Sequence, residues 1–377
     1  MQNKKQKYFF CYLRTGGGHL APARSIAKYL SEQHGDIVEP VLVDGLTEAN
    51  TTVRFILEDG YRILQAKAKW YYELIYALNK FPPIGWLNVT GANFFIKPYL
   101  KKKIIEEKPT KIVILHFLLI APIHEIVSEL NLEIPVITIV TDPFTAHPMW
   151  FQRKEQRYII FSERLKNACI QKGIDSKQLH VFPFIVDNKF VSALANQDAV
   201  KLRSQFGFDQ NQKLVLIIGG GDGIPHGKAI LQNLLSHSIP AQIAIVCGKN
   251  KELYDDAMKL KAQFPRLFVF EFVDFVYELL NIADVVITKC GASTIMEILM
   301  LKKIPVIVDY LWEQELGNME FVRDRQLGIF ERNISALPTI AKQLISDEKY
   351  YAQFQHNIEQ QQLRNGTKEV STFLITI

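Results

Sequence analysis

The stretch that decides the fold reads Lys289-Cys290-Gly291-Ala292-Ser293-Thr294-Ile295-Met296-Glu297, inside a longer segment from Asp284 to Asn318. An apolar run precedes Gly291, and Ser293 and Thr294 stand where a helix should begin, which predicts a strand, a tight turn and a helix. Free backbone N–H groups, two hydroxyls and the positive end of a helix dipole would then meet at one point, which suits a phosphate. Glu297 is placed to accept hydrogen bonds from neighbouring sugar hydroxyls. The simpler alternative is an ordinary turn in which Ser293 or Thr294 caps the helix.

Length and composition indicate a folded protein of two domains. A chain of 377 residues exceeds one ordinary core, and 48% hydrophobic with 22% charged residues is typical of globular proteins. A net charge of +5 suits phosphate-bearing ligands or an anionic membrane surface better than nucleic acid. The cysteines are scattered without a CxxC pair, which predicts buried free thiols and neither a zinc site nor a disulfide framework. They are Cys11, Cys169, Cys247 and Cys290.

The hydrophobic pattern predicts a cytoplasmic protein that touches membranes only at their surface. No apolar run approaches the roughly 20 residues of a transmembrane helix, and Tyr8–Leu13 is too short for a signal-peptide core. The candidate membrane contact is Tyr61–Lys103, which interleaves aromatic side chains with cations and suits an anionic membrane surface. Helices packed within the protein are the alternative. Single-stranded nucleic acid is less favoured, because no recognised nucleic-acid module surrounds this segment.

Buried strands alternate with helical patterns along the chain, which predicts parallel sheets covered on both faces. The pattern starts at Tyr8–Leu13 and starts again at Lys213–Ile218, each time followed by a glycine turn. The polar stretch Asp187–Asp198 reads as a hinge between the two halves. We therefore predict an α/β fold of two Rossmann-like domains facing across a cleft. The domains would comprise residues 1–186 and 187–355, with residues 356–377 packing back on the first.

The first glycine turn also fits a dinucleotide-binding fingerprint. Gly16-x-Gly18-x-x-Ala21 follows the first strand, and Asp44 ends the second, where a ribose-binding acid is expected. This pattern indicates an NAD-dependent oxidoreductase. It accounts for the first domain only.

A second polar loop follows the predicted strand Val136–Val140. It runs from Thr141 to Trp150 and contains Asp142 and His147. Loops at the carboxyl ends of strands are where α/β sheets carry their chemistry. This loop is therefore a candidate catalytic element.

Five motifs in order make the chain resemble a known family. The sequence resembles the GT-B glycosyltransferases, and within them the monogalactosyldiacylglycerol synthases and the processive diacylglycerol glucosyltransferases. The turn at Ala292-Ser293 departs from the usual Pro-Gly of this branch, and Glu313 stands where the branch has Gly. The motifs are Thr15-Gly-Gly-Gly-His19, Thr141-Asp142…His147-Pro148-x-Trp150, Gly219-Gly-Gly-x-Gly223, Gly291-x-x-Thr294-x-x-Glu297 and Gln314-Glu315-x-Gly317-Asn318.

The resemblance implies a UDP-sugar donor in the second domain. The end of a predicted strand would present backbone to uracil, the opening turn would bind the diphosphate and ribose, and a glycine turn would let backbone approach the diphosphate. Side chains of the last motif would meet the sugar. The implied donor-binding residues are Gly219, Gly220, Gly221, Phe272, Val273, Gly291, Ser293, Thr294, Glu297, Gln314, Glu315 and Asn318.

The resemblance also implies the chemistry. Asp142 would be the base that deprotonates the acceptor hydroxyl, and His19 would orient or share that proton, with inversion at the anomeric carbon. No Asp-x-Asp motif stands at a strand end, and a helix N-terminus can stabilise the departing phosphate, so we expect neither metal nor cofactor. The expected acceptor is a lipid of the diacylglycerol type. The residues expected on the acceptor side are Gly17, Gly18, His147 and Trp150.

Other functional classes stay open at this level. An NAD-dependent oxidoreductase would leave Gln314-Glu315-x-Gly317-Asn318 without a role. A UDP-sugar epimerase of the same fold would use cleft carboxylates and would not need the aromatic-basic segment. A non-enzymatic sugar-nucleotide or lipid-binding protein is disfavoured by the presence of both His19 and Asp142. The sequence does not identify the sugar or the lipid.

Overall fold

The computed structural model describes residues 5–15, 17–49, 51–60, 68–191 and 196–377, and describes only the backbone of residues 59, 82, 85–89, 196 and 197. It divides into two compact units. The first unit comprises Met1–Asn188 with Asn365–Ile377, and the second comprises Lys189–Arg364. Predictions that concern Gly16 or residues 61–67 lie outside the described residues.

The first unit is a six-stranded parallel sheet with helices between its strands. The strand order is β2-β1-β3-β4-β5-β6, and Phe10 of β1 lies opposite Leu42 of β2 and Val113 of β3. In chain order the elements are β1 (Gln6–Tyr12), α1 (Gly17–His34), β2 (Val38–Asp44), α2 (Thr51–Arg54), α3 (Lys69–Leu78), α4 (Pro82–Glu107), β3 (Lys111–Ile114), α5 (Ile120–Glu129), β4 (Val136–Ile139), β5 (Arg157–Ile160), α6 (Glu163–Gln171) and β6 (Leu179–Val181).

The second unit repeats this architecture with a different strand order, β12-β11-β10-β7-β8-β9, and all its described strand pairs are parallel. Its elements are α7 (Asn196–Gln205), β7 (Lys213–Ile218), α8 (Gly227–Ser236), β8 (Ala241–Val246), α9 (Lys251–Lys261), β9 (Leu267–Phe270), α10 (Val276–Ile282), β10 (Val285–Lys289), α11 (Ala292–Met300), β11 (Ile304–Asp309), α12 (Leu316–Asp324), β12 (Ile329–Phe330), α13 (Leu337–Ser346) and α14 (Glu348–Gln360).

Continuous apolar strands explain both sheets. The side chains of β3 are buried without alternation, as are those of β8, because helices cover both faces of each sheet. Each unit has its own apolar core, built around Phe9 and Ile112 in the first and around Ile217 and Ile245 in the second. The predicted fold class, two Rossmann-like α/β domains, is confirmed.

The last helix, α15 (Thr367–Thr376), belongs to the first unit and packs on α1. Lys111, at the start of β3, is only 3% exposed, and its ammonium donates to the carbonyl oxygens of Leu374 and Ile377, the latter at 2.6 Å. A lysine at a helix C-terminus satisfies carbonyls that the helix itself leaves unpaired. The predicted break at residue 355 falls inside α14, which is one continuous helix of the second unit.

Two short strands have no counterpart in the sequence prediction. They are β6, with three residues, and β12, with two. Both lie at sheet edges, where too few residues alternate to give a recognisable pattern. In the described part of the chain, no helix has the length and apolar character needed to cross a bilayer.

Candidate functional site

Three adjacent strands of the first unit bring polar side chains to one edge of the sheet. The chain passes from β1 into α1, whose first turn carries His19. His116 follows β3, and Thr141 and Asp142 follow β4. Because β1, β3 and β4 are parallel neighbours, their carboxyl ends lie side by side. The structure therefore brings the predicted pair His19 and Asp142 to the same edge.

His19 is tied to the loop after β4 through Thr141. The Nδ1 atom of His19 lies 3.0 Å from the hydroxyl oxygen of Thr141, the residue immediately before Asp142. Burial lowers the pKa of His19 to about 4, although a hydrogen bond with the Leu115 backbone acts in the opposite direction. His19 is therefore neutral at pH 7 and a weak base.

Asp142 is oriented by Trp150. The indole N–H of Trp150 donates to Oδ2 of Asp142 at 2.9 Å, and the indole is fully buried. Asp142 itself is only half-buried. A rigid aromatic donor thus fixes the carboxylate while leaving part of it exposed.

His147, predicted on the acceptor side, has an internal role. It is 4% exposed, its Nδ1 accepts the backbone N–H of Met149 at 3.1 Å, and its Nε2 lies 3.1 Å from the carbonyl oxygen of Tyr76 in α3. The first contact caps the short helix Pro148–Phe151, and the second connects this loop to α3. The burial and both hydrogen bonds of His147 are therefore explained by contacts within the protein, without contact to an acceptor.

His147 should make stability depend on pH. Burial is the main cause that lowers its pKa to about 4, against about 6.5 in an unfolded chain. Between these values the unfolded state binds more protons, so stability falls as pH drops from about 6.5 towards 4, by roughly 2–3 kcal/mol from this residue. Chemical denaturation at several pH values should show a shallower loss for His147→Gln, and equal slopes in both proteins would contradict the assignment.

The buried histidine His116 was not among the predicted site residues. Its ring centroid lies 4.6 Å from that of His19 in an edge-to-face arrangement, and it is 2% exposed. The signal in the sequence was its place directly after the apolar run Lys111–Leu115, in line with the positions of His19 and Asp142.

In this structure Asp44 is not available to bind a ribose, as the dinucleotide-binding hypothesis requires. Asp44 is 6% exposed, and its carboxylate accepts from Arg14 at 2.9 Å and from the backbone N–H of Leu46 at 3.1 Å. Both carboxylate oxygens are thus already used within the protein. By contrast, Cβ atoms on Gly17 or Gly18 would meet no side chain or distant backbone of the described residues within 4 Å. None of the described residues therefore fills the space beside the start of α1.

In the second unit, the opening stretch forms the predicted strand, turn and helix. Gly291 is the N-cap residue of α11, with an extended backbone, and no side chain caps this helix. The simpler alternative, a Ser or Thr cap, is therefore wrong. Ser293 and Thr294 lie in the first turn and are half-buried, as is Glu297 one turn further along. The first-turn N–H groups have no capping side chain, which is the arrangement that binds anions.

Lys289 adds a positive charge beside this turn and was not predicted as a site residue. It ends β10, and its Nζ lies 3.9 Å from Oε1 of Glu315. Its Cε lies 3.7 Å from the position that a Cβ on Gly220 would occupy. Lys289 therefore stands between the glycine turn after β7 and the start of α11, where an anion would gain most from it.

Glu315 and Asn318, predicted to meet a sugar, are buried and make internal hydrogen bonds. Oε2 of Glu315 accepts the backbone N–H of Leu311 at 2.8 Å, and Nδ2 of Asn318 donates to the carbonyl of Cys290 at 3.0 Å. Their exposed fractions are 7% and 3%. The first bond lies within the loop after β11, and the second joins α12 to the turn before α11. Gln314, in the same loop, is half-buried.

The predicted uracil contact lies beyond the strand that was expected to carry it. β9 ends at Phe270, so Phe272 and Val273 belong to the following loop. Phe272 is 59% exposed, and the ammonium of Lys249 lies 5.6 Å from its ring centroid. The ring is therefore available for stacking on a flat ligand.

The glycine turn after β7 offers a matched pair of substitutions. A Cβ on Gly219 would overlap the backbone of Gly223 and Ile224, whereas one on Gly221 would meet nothing within 4 Å. Gly219→Ala should therefore lower the free energy of unfolding by roughly 2–4 kcal/mol. Gly221→Ala should leave thermal unfolding unchanged and weaken UDP binding about tenfold if backbone approaches the diphosphate there. Normal UDP binding by a folded Gly221→Ala protein would exclude that close approach.

Among the residues that the structure describes, no group of three or more His, Cys, Asp or Glu side chains is arranged to hold a metal ion. The four cysteines are free and buried, as predicted. Burial raises the pKa of Cys169 to about 11, so this thiol is unreactive.

Solved structures define the class to which this fold belongs. The chain is similar to MurG of Acinetobacter baumannii, with a TM-score of 0.62, 14% identity and coverage of 99% and 100% of the two chains. HepE of Anabaena, in complex with UDP and glucose, has a TM-score of 0.59 and 16% identity, again with coverage of 99% and 100% of the two chains. The UDP-GlcNAc 2-epimerase of Neisseria meningitidis, bound to UDP-GlcNAc, has a TM-score of 0.65 and 13% identity, with coverage of 99% and 100% of the two chains. The fold is that of the GT-B glycosyltransferases, and it is shared by this epimerase.

Sequence comparison relates both halves of the chain to known families. Residues 19–186 match the family model described as monogalactosyldiacylglycerol (MGDG) synthase, and residues 214–365 match the glycosyltransferase family 28 C-terminal domain. These matches confirm the predicted resemblance to the monogalactosyldiacylglycerol synthases.

Curated relatives agree over most of the chain. The probable chloroplastic monogalactosyldiacylglycerol synthase of Nicotiana tabacum is 28% identical over 340 residues, which is 87% of this chain and 62% of that protein. Monogalactosyldiacylglycerol synthase 1 of Arabidopsis thaliana is 26% identical over 341 residues, which is 88% of this chain and 63% of that protein. The chain thus spans somewhat less than two thirds of the length of these relatives.

Proposed function

We propose that this protein is an inverting glycosyltransferase that moves a hexose from a UDP-sugar to a diacylglycerol-type lipid. The observation that carries the proposal is its relation to monogalactosyldiacylglycerol synthases over both units. The names of these relatives specify galactose, which makes UDP-galactose the first donor to test.

The second unit would hold the donor. The uncapped first turn of α11 offers backbone N–H groups and the hydroxyls of Ser293 and Thr294 to the diphosphate, and Lys289 adds a positive charge. Phe272 would stack on uracil, and Glu297 would accept hydrogen bonds from the ribose. The helix and the lysine would stabilise the negative charge that develops on departing UDP, so the proposed reaction needs no metal or other cofactor.

The first unit would supply the base. Asp142 takes the proton from the acceptor hydroxyl, the oxygen then attacks the anomeric carbon from the side opposite UDP, and the bond to the diphosphate breaks. The indole of Trp150 would orient the carboxylate during this step. Because His19 is held neutral, it would position the acceptor or share a hydrogen bond and would not compete as the base.

Helix α3 would bring the protein to the lipid. One face of this helix exposes Trp70, Leu74 and Leu78, four residues apart, and Phe81 follows; these four residues form the apolar stripe. The exposed fractions reach 70% for Trp70 and 60% for Phe81. The carbonyl of Tyr76 on α3 is the partner of His147, in the loop that also carries Asp142. A helix in contact with this loop would therefore rest on the membrane surface.

The charges near the stripe contribute less than the sequence suggested. Four lysines of α4 form ion pairs: Lys97 with Glu125 and Glu129, Lys101 with Glu129, Lys102 with Glu48, and Lys103 with Glu107. Lys97, Lys101 and Lys102 are paired with carboxylates from other parts of the unit, and Lys103 is paired within α4. We therefore expect attraction to an anionic membrane to assist binding, and burial of apolar side chains to dominate it.

The double variant Trp70→Glu/Leu74→Glu tests the stripe. Its binding to vesicles of phosphatidylcholine and phosphatidylglycerol containing diacylglycerol should fall about 10–100-fold, because two large apolar side chains no longer insert. Met258→Glu, on an exposed apolar residue of α9, is the matched control and should bind normally. Co-sedimentation measures both. Unchanged binding of the double variant would mean that the stripe is not the membrane contact.

The reaction itself is tested by product identification. The protein is incubated with diacylglycerol and, in separate reactions, UDP-galactose, UDP-glucose or UDP-glucuronate, with and without EDTA, and the lipid products are identified by mass spectrometry. A glycolipid with the anomeric configuration opposite to that of the donor is the expected result. A UDP-GlcNAc reaction without lipid, analysed for epimerisation, covers the alternative that the shared fold allows. Epimerisation without glycolipid formation would overturn the proposal.

A further inference from the structure

His116 makes a set of contacts that the proposed mechanism does not use. It is buried at the end of β3 and packs edge to face on His19, with 4.6 Å between ring centroids. The ring also stacks on that of Phe117, with 4.6 Å between the centroids. The ring is thus held between neighbours and cannot turn without displacing them.

The hydrogen bonds of His116 define its tautomer. Nδ1 accepts the backbone N–H of Leu118 at 3.2 Å, so the ring proton lies on Nε2. Nε2 is 3.1 Å from the hydroxyl oxygen of Thr15, which therefore accepts. Thr15 belongs to the turn that leads into α1 and His19. His116 thus contacts His19 directly and also holds the turn that precedes it.

The contacts of Thr141 complete this arrangement. His19 is held on one side by the hydroxyl of Thr141 and on another by the ring of His116. Strands β4 and β3 supply these two supports, and the strands are neighbours in the sheet. Small errors in the placement of a catalytic group reduce turnover strongly, so such supports affect rate more than substrate affinity.

We propose that His116 is a positioning residue, which fixes His19 through the Nε2–H hydrogen bond to Thr15 and through ring packing. The inference rests on the proposed function for its effect on turnover. Its geometric part concerns only residues of the first unit and is measurable without any substrate.

Two amide substitutions separate the hydrogen bonds of His116. The side-chain nitrogen of Gln reaches the position of Nε2 and can still donate to Thr15, whereas Asn reaches only the position of Nδ1. We expect His116→Asn to lower kcat about tenfold or more, with KM for the UDP-sugar within about twofold, and His116→Gln to recover kcat to within about threefold of the wild type. Thr15→Val should resemble His116→Asn, and the double variant should be no worse than either single variant.

A second measurement does not depend on activity. In protein labelled with ¹⁵N-histidine, the ring nitrogen signals of His19 should shift in His116→Asn and in Thr15→Val and stay near their wild-type positions in His116→Gln. Equal behaviour of the Asn and Gln variants in both measurements, or additive effects of Thr15→Val and His116→Asn on kcat, would overturn the inference. If the wild type makes no glycolipid, the proposed function fails, and the His19 signals alone decide whether His116 positions His19.

Discussion

Replacing Asp142 with Asn should lower kcat about 10³-fold while the Kd for UDP stays within about twofold, because a general base contributes roughly 10²–10⁴ to such a reaction. The amide keeps the shape of the carboxylate and can still accept from the indole N–H of Trp150 through its oxygen. It cannot take a proton from the acceptor hydroxyl. Steady-state rates of glycolipid formation and calorimetric titration with UDP measure the two quantities.

Trp150→Phe is the matched control for this experiment. It keeps an aromatic ring in the buried site but removes the N–H donor together with part of the ring volume, so kcat should fall about tenfold and the protein should stay folded with reduced stability. A near-normal rate in Asp142→Asn would exclude Asp142 as the base. A loss of UDP affinity equal to the loss of rate would instead assign Asp142 to donor binding.

Replacing Lys289 with Met should raise the Kd for UDP about 10–100-fold, because a charge-assisted hydrogen bond to phosphate contributes about 1.5–3 kcal/mol. Lys289 lies beside Gly220 and Glu315, and its side chain is 31% exposed. Glu315 keeps the backbone N–H of Leu311 as a partner, so the loop should stay in place when the lysine is removed. UDP titration at two salt concentrations should show a smaller salt dependence in the variant.

Lys302→Met serves as the control for Lys289→Met. Lys302 forms an exposed ion pair with Glu359 on the same unit, so its loss changes net charge equally without touching the turn before α11. Its UDP affinity should equal that of the wild type. If Lys289→Met also binds UDP normally, the diphosphate does not lie beside Lys289.

The sequence was sufficient to predict the two α/β units, because strands buried on both faces are continuous apolar runs such as Val285–Ile287. It also predicted the start of α11 and the loop that carries Asp142. The short edge strands could not be predicted from the sequence, since two or three residues carry no periodicity. The register of the sheet could not be predicted from the sequence either. The contact between His116 and His19 depends on that register, so it was not predicted.

The motif Gln314-Glu315-x-Gly317-Asn318 shows a different limit. A carboxylate and an amide near a proposed sugar site look like ligands in the sequence, yet Glu315 and Asn318 bond to backbone groups. Polar side chains that tie two loops together and polar side chains that bind a ligand are the same residue types. Only burial and partners distinguish them, and these are properties of the folded chain. Lys289 is the converse case, because a lone lysine at a strand end gives no pattern.

The return of α15 to the first unit has a consequence for how the protein is made. The second unit is one continuous segment, Lys189–Arg364, and can complete its core as soon as that segment has left the ribosome. The first unit begins earlier in synthesis but finishes later, since the carbonyls of Leu374 and Ile377 that receive Lys111 follow the whole second unit in the chain. The unit that carries the proposed base therefore completes its packing only after the second unit has been translated.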